Sequence, residues 1–360
     1  MNIPSRVSTR SWAPLALALL LAASPALASD VFRQRNLVSD GTIPAAHTDP
    51  HLVNGWGVAF NPFGFAWVAD ADGNVSTLYD GDGNVQPLVV QIPQPMAATG
   101  GSPTGIVFNG SDRFVARKGT VSGPSRFLFA TEQGVIAAWA PTVDPTHALR
   151  MVDRSASHAS YKGLALSAGG TGQLLYATDF FNARVDVFDS DFHLVSLHSG
   201  AFTDAGIPHG YAPFGIQAIG GDIYVTYAKQ NASGDDEVHG AGLGYVDVYT
   251  PTGYLIRRVA SRGCLDAPWG VALAPAGFGG FSNTVLVGNF GDGRINAFAP
   301  TSGASLGTLR DKAGRPIHID GLWGIQFGNG LADQPVNALF FASGPDEEAH
   351  GLYGRLDLIR

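Results

Sequence analysis

A short phrase that recurs six times along the chain limits what it can fold into. Each copy has a residue that is often aromatic, then a glycine, then an aliphatic residue and further mostly apolar ones. The six glycines are Gly57, Gly105, Gly163, Gly215, Gly270 and Gly324. Their spacings of 48, 58, 52, 55 and 54 residues suit repeated four-stranded blades, in which each unit packs only on its neighbours.

The residues after each phrase indicate further strands. A second β-rich run follows every copy, and a third run has alternating side chains, as in Leu175–Ala177 and Arg184–Phe188. A content of 47 glycines with 14% charged residues fits many short strands joined by tight turns. The sequence therefore predicts an all-β fold, a six-bladed β-propeller, whose repeated glycines let the innermost strands approach each other.

The two ends of the chain predict how the ring closes. After the sixth phrase only three strands are expected, the last of them at Leu356–Ile359. An unassigned strand, Asn36–Val38, precedes the first phrase. We expect this N-terminal strand to complete the last blade, because the closed ring then has no exposed edge.

The N-terminus is typical of a secretory signal. Arg6 and Arg10 precede an apolar run at 13–23, and Ala26 and Ala28 supply small residues for cleavage. We expect residues 1–28 to be a signal peptide and 29–360 to be a single propeller domain, secreted or periplasmic. The run is too short to span a membrane.

Charge and cysteine content exclude some classes of function. The net charge is −8, and no basic face of the kind that nucleic-acid binding requires is apparent. Cys264 is the only cysteine, so an exported chain would have no internal disulfide and would depend on packing.

Several phrases resemble known propeller families. Residues 267–273 followed by 285–289 resemble NHL-type repeats. A set of phrases spread over nearly the whole chain resembles a family of exported bacterial propellers with no assigned activity; the phrases lie at 52–57, 161–164, 212–216, 288–293 and 350–354. The resemblance implies a propeller fold and an export route rather than a reaction.

The residues that precede the repeated glycines should meet at the mouth of the propeller, where ligand sites usually lie. They are Trp56, Thr104, Lys162, Phe214, Trp269 and Trp323. The aromatic members and Lys162 could stack a planar or sugar-like ligand and hold an anionic group on it. Alternatively, these large side chains plug the channel.

Polar residues end the second strands on the same face. They include Asp70, Glu132, Asp179 and Asn289, with Tyr227 and Ser343 at the equivalent positions. Oxygen ligands of this type resemble the cation sites of gluconolactonase-like propellers and suit a hard divalent ion such as calcium. The alternative is that Asp and Asn bond nearby backbone amides in turns.

Two loops echo each other in sequence. Residues 235–240 of the fourth blade read Asp-Asp-Glu-Val-His-Gly, and residues 346–351 of the sixth read Asp-Glu-Glu-Ala-His-Gly. Glu237 with His239, and Glu348 with His350, could form metal pairs that suit zinc. The alternative is a solvated acidic turn repeated by blade duplication.

Catalytic motifs are mostly missing from the sequence. The NHL-type resemblance also suggests a comparison with zinc-dependent amidating lyases. Those enzymes place histidines at the positions where this chain has the six residues before the repeated glycines, so the resemblance does not predict that activity. His209 and His318 precede inner strands and could act as acid–base groups. Our leading hypothesis is an exported protein that binds a small molecule or a partner at its mouth. The rival is a metal-dependent hydrolase or lyase of the lactonase-like kind.

Overall fold

Six blades of mainly antiparallel strands surround a central channel, and the described residues also form two separate two-stranded sheets. The computed structural model describes Met1 and residues 30–167 and 172–359. The predicted signal peptide therefore lies outside the described residues, apart from Met1. Within the described residues the predicted six-bladed β-propeller is confirmed.

Each blade runs from an innermost strand A outwards. Blade 1 contains Gly55–Phe60, Ala66–Asp70, Val75–Tyr79 and Val90–Gln91. Blade 2 contains Pro103–Phe108, Phe127–Thr131, Val135–Trp139 and Leu149–Asp153. Blade 3 contains Tyr161–Leu166, Leu175–Asp179 and Arg184–Phe188. Blade 4 contains Tyr211–Ile219, Asp222–Gln230, Gly244–Tyr249 and Leu255–Ser261. Blade 5 contains Pro268–Leu273, Val285–Asn289, Ile295–Phe298 and Ser305–Thr308.

Short elements fill the connections between these strands. The additional strands are His47–Thr48, Pro93–Gln94, Ala97–Gly100, Val115–Lys118, Val121–Pro124 and Glu237–Val238. The helical segments among the described residues are Ser155–Ser157 and Gly279–Phe281, and each is a single 3₁₀ turn. In the described part of the chain, no helix has the length and apolar character needed to cross a membrane.

Blade 6 confirms the predicted closure of the ring. Its strands Leu322–Phe327, Leu339–Ser343 and Leu352–Ile359 come from the C-terminus, and its outer strand is the N-terminal Val31–Ser39. This outer strand is longer than predicted and pairs antiparallel from Val31 opposite Ile359 to Ser39 opposite Leu352. Asn36 and Val38 lie opposite Gly354 and Tyr353, whereas Leu356–Ile359 lies opposite Val31–Gln34, so the closing strand is as predicted but the paired residues differ from those expected.

The innermost strands pack closely enough to require the repeated glycines. A Cβ atom at Gly57 would lie 2.6 Å from the carbonyl oxygen of Thr104, and one at Gly215 would lie 2.0 Å from that of Trp269. In all six blades the glycine faces the inner strand of the next blade, and Gly324 closes the circle against Trp56. The predicted reason for the glycines is thus confirmed.

An irregularity in each inner strand directs one side chain into the channel. In every blade the innermost strand pairs with the second strand, and the register of this pairing shifts at the residue before the repeated glycine or at that glycine. Such bulges re-aim side chains. The remaining core lies between neighbouring blades in separate apolar clusters, whereas one cluster, which includes Trp56 and Trp323, lies in the channel itself.

Candidate functional site

A buried group of aromatic rings closes one end of the channel. We call it the plug, and it consists of Trp56, Phe180, Phe214, Trp269, Phe290 and Trp323. Trp323 lies between the rings of Trp56 and Phe290, with centroids 3.6 and 3.8 Å away and nearly parallel planes. Trp269 presents its edge to Trp56 and Trp323. Offset and edge contacts of this kind stabilise aromatic clusters beyond their area burial.

The predicted ligand-binding residues are therefore covered. Trp56 is 2% exposed, Trp269 is 8% exposed, and Thr104 and Phe214 are inaccessible. Thr104 donates its hydroxyl to the carbonyl oxygen of Tyr161 in the next blade, 2.7 Å away. This burial favours the alternative in which these residues plug the channel.

Lys162 is the charged member of the inner set, and carboxylates already neutralise it. Its Nζ lies 2.6 Å from Oε1 of Glu132 and 3.8 Å from Oδ1 of Asp236. The same atom lies 5.1 Å from the ring centre of Trp56, and the Trp269 indole N–H donates to the Lys162 carbonyl oxygen across the channel. Lys162 is thus not the free cation that an anionic ligand would need.

Carboxylates from four blades gather above the plug, around Lys162. We call this region the acidic mouth, which consists of Asp72, Glu132, Asp236, Glu237 and Glu348. Both echoing loops contribute to it, since Glu237 and Glu348 interact with each other and with Lys162. Glu237 is buried, with a side chain 4% exposed, whereas Asp236 is 64% exposed.

Burial and mutual repulsion change the acidity of these groups. Desolvation, followed by the negative charge of Glu237, raises the pKa of Glu348 to about 7 and that of Asp236 to about 6. Desolvation opposes ionisation of Glu237 as well, but its contacts with His239 and Lys162 lower its pKa overall. Burial would lower the pKa of Lys162, but Glu132 and Glu237 raise it instead. Such coupled, perturbed groups are typical of functional sites.

Two carboxylate oxygens in the acidic mouth have no hydrogen-bond partner within the described structure. They are Oε2 of Glu237 and Oε1 of Glu348, and both are inaccessible to solvent. The indole nitrogen of Trp56 is likewise buried without an acceptor. Buried polar atoms are nearly always satisfied in folded proteins, so unsatisfied ones mark a position where a ligand or water completes the site.

The second-strand residues that the sequence offered as a cation site form contacts within the protein. Asp70 accepts from Thr77, Asp179 accepts from Asn182 and pairs with Arg184, and Asn289 donates to the Cys264 carbonyl oxygen. These contacts serve local turns and pairs, which is the alternative given above, while Oδ1 of Asp70 and Oδ1 of Asn289 are buried without a hydrogen-bond partner in the described structure. Among residues 30–167 and 172–359, no three His, Cys, Asp or Glu side chains are grouped to hold a metal ion.

The predicted histidines have different surroundings. His239 Nε2 lies 3.5 Å from Glu237 Oε1, and the contact raises its pKa. His350 instead contacts Asp40, with Nδ1 2.6 Å from Oδ2, at the end of the N-terminal strand. It is therefore not part of the acidic mouth. His209 and His318 are exposed, and His209 lines a groove between blades 3 and 4.

Five residues of the site were not among the predicted candidates: Asn54, Asp72, Phe180, Asp236 and Phe290. Asp236 belongs to an echoing loop, so the sequence offered a signal for it. Phe290 follows Asn289 directly and covers Trp323. Asn54, which accepts from the Trp323 indole and donates to Asp72, gave no sequence signal, and neither did Asp72.

Comparison with known sequences identifies viral relatives. No protein-family model matches the chain. The uncharacterized protein R648 of Acanthamoeba polyphaga mimivirus is 34% identical over 343 residues, which cover 92% of this chain and 82% of that protein. The uncharacterized protein L690 of the same virus is 32% identical over 342 residues, covering 92% of this chain and 87% of that protein. These relatives are viral, whereas the phrase resemblance implied bacterial ones.

Comparison with solved structures supports the fold. Virginiamycin B lyase from Staphylococcus aureus, in a catalytically inactive form with quinupristin, is 12% identical with a TM-score of 0.51, covering 92% of this chain and 100% of that chain. The soluble aldose sugar dehydrogenase from Escherichia coli is 10% identical with a TM-score of 0.54, covering 91% and 99%. At these identities the likeness concerns the propeller architecture alone.

Proposed function

This chain belongs to the family of the mimivirus proteins R648 and L690, and we propose that it is an exported protein that binds a small organic cation at its acidic mouth. The observation that supports this most is the pair of buried, unpartnered carboxylate oxygens of Glu237 and Glu348. Each loses its hydration on burial, and a cation with N–H donors would replace it.

The balance of charge favours a cation over an anion. Five carboxylates form the acidic mouth, and the positive groups that contact them in the described structure are Lys162 and His239. Lys162 is already paired with Glu132 at 2.6 Å. A ligand carrying a negative charge would therefore face net repulsion, and the anionic ligand suggested by the sequence is replaced by a cationic one.

The aromatic rings of the plug favour an organic cation. Lys162 already shows how an ammonium group is held here, between the face of Trp56 and the carboxylate of Glu132. Carboxylates above a plug of indole rings suit a second ammonium or guanidinium group. The lactonase-like alternative needs an ion beside an open substrate cavity, whereas Asp70, Asp179 and Asn289 are buried and each has a local contact.

The test uses calorimetric titration of the purified chain with methylammonium and guanidinium chloride at pH 8. The variant Glu237→Gln with Glu348→Gln removes two charges from the mouth. The control Asp346→Asn with Glu347→Gln removes two charges from exposed positions in the same loop as Glu348. We expect binding to weaken about tenfold or more in the first variant and to stay within about twofold in the control.

Three results would contradict the proposal. Equal binding by both variants would place the cation outside the mouth. Tighter binding of acetate than of methylammonium would show that the site prefers an anion to a cation. Tighter binding of calcium or zinc than of either organic cation would replace the organic ligand by a metal.

A further inference from the structure

A groove with a volume of about 430 Å³ lies between blades 3 and 4, on the same face as the acidic mouth. Its walls are largely apolar and aromatic: Phe202, Ile207, Pro208, Tyr211 and Tyr227. Cavities that hold small molecules typically measure about 300 to 1,000 Å³, so the groove can take the body of such a ligand.

Tyr227 and Asp204, two of the polar residues that line the groove, are already paired within the protein, and the exposed His209 lines it as well. The Tyr227 hydroxyl contacts the Tyr249 hydroxyl at 2.6 Å and donates to the Phe202 carbonyl oxygen. Asp204 forms an ion pair with Arg258. The groove therefore offers mainly apolar contact, and an ammonium group on a ligand that enters it finds its carboxylate partner elsewhere.

One structural element connects the groove to the acidic mouth. The short strand Glu237–Val238 pairs antiparallel with the end of Asp222–Gln230, and Gln230 lies directly opposite Glu237. Gln230 lines the groove, whereas Glu237 belongs to the mouth. Directly opposite residues in such a pair have Cβ atoms about 5 Å apart. Gln230, whose side-chain amide donates to the carbonyl oxygens of Phe180 and Gly234, is thus the residue that joins the groove to Glu237.

We propose that the groove and the acidic mouth form one composite site for an amphiphilic amine, with its ammonium group at Glu237 and Glu348 and its apolar body in the groove. This inference rests on the proposed function and narrows it to a class of ligand. The carboxylates determine the position of the ligand's ammonium group, and the apolar walls of the groove contact the ligand's apolar part.

The test compares three probes on the full chain by calorimetric titration: benzylammonium, methylammonium and benzyl alcohol. Burial of the phenyl ring should make benzylammonium bind about tenfold or more tightly than methylammonium. Two variants block the groove, Ala205→Trp and Thr203→Trp. Both positions line the groove and are exposed, so folding should tolerate a larger side chain. Each should reduce benzylammonium affinity to the level of methylammonium and leave methylammonium binding unchanged.

The outcomes separate this inference from the proposed function. If methylammonium binds but benzylammonium gains nothing, or if neither blocking variant has an effect, the composite site is wrong and the cation site stands. If benzyl alcohol binds as tightly as benzylammonium, the groove acts independently of the mouth and the inference also fails. If neither amine binds, the proposed function itself is wrong.

Discussion

The loops at 235–240 and 346–351 have nearly the same sequence and reach the acidic mouth by different backbones. In blade 4 the loop contains a short strand, Glu237–Val238, that pairs with Lys229 and Gln230. In blade 6 three successive residues, Asp346, Glu347 and Glu348, have left-handed φ angles of 58°, 53° and 68°. Both backbones nevertheless bring the third residue, a glutamate, towards Lys162. The glutamate position is therefore shared, while the local conformation is not.

The histidines show where the similarity ends. His239 lies beside Glu237 and presents the edge of its ring to Phe290. His350 turns to Asp40 instead, and thereby ties the blade 6 loop to the N-terminal strand. The same spacing of glutamate and histidine thus gives a contact within the loop in blade 4 and a contact with the N-terminal strand in blade 6. The reason is that the direction of a side chain depends on the local backbone conformation.

The largest expected effect comes from removing residues 30–40. The deletion exposes the edge of Leu352–Ile359 and removes Asp40, so the blade 6 loop loses its tether. We expect aggregation or loss of the cooperative thermal transition. The milder Asp40→Ala variant keeps the strand and should lower the melting temperature only slightly. A deletion variant that melts like the full chain would show that closure does not stabilise the ring.

The next effect concerns Lys162, which both glutamates face. Replacing it by methionine leaves the mouth carboxylates without their buried cation, and should cost about 3 kcal/mol of unfolding free energy. The loss should be larger at pH 8 than at pH 5, because the carboxylates are then ionised. Urea unfolding at both pH values measures it, with the exposed Lys229→Met as control. An equal, small loss in both variants would mean that the loops do not share Lys162.

The sequence predicted more of the fold than of the site. The period of the repeated phrase predicted six blades, because the close packing of the innermost strands requires a glycine in each of them. The unassigned N-terminal strand predicted how the ring closes. The echoing loops drew attention to Glu237 and Glu348, but as partners of His239 and His350 rather than of each other. The burial of Trp56 and Trp323 was not decided by the sequence, because it depends on Phe290 folding over Trp323 from another loop. The role of Asn54, which joins Trp323 to Asp72, depends on contacts between distant parts of the chain.

A smaller effect tests the difference in backbone between the loops. Glycine tolerates the left-handed region that Glu347 occupies, so Glu347→Gly should stabilise the protein by up to about 1 kcal/mol. In the blade 4 loop, Val238→Gly lies in a strand and should instead destabilise by about 1 kcal/mol. Urea unfolding of the two variants measures the contrast. Changes of the same sign would remove the distinction between the two loops.

The most direct test of the shared acidic mouth is a pH titration of the Glu348 carboxyl group by carbon-13 NMR. Burial and the charge of Glu237 should give a midpoint near the raised pKa of about 7, and Glu237→Gln should lower it. The same shift means that the contribution of Glu348 to stability is present below the usual glutamate pKa of 4.5 and is lost as the pH rises towards 7. A midpoint near 4.5 that does not change in the Glu237→Gln variant would show that the two loops do not bring their glutamates together, and would contradict the account.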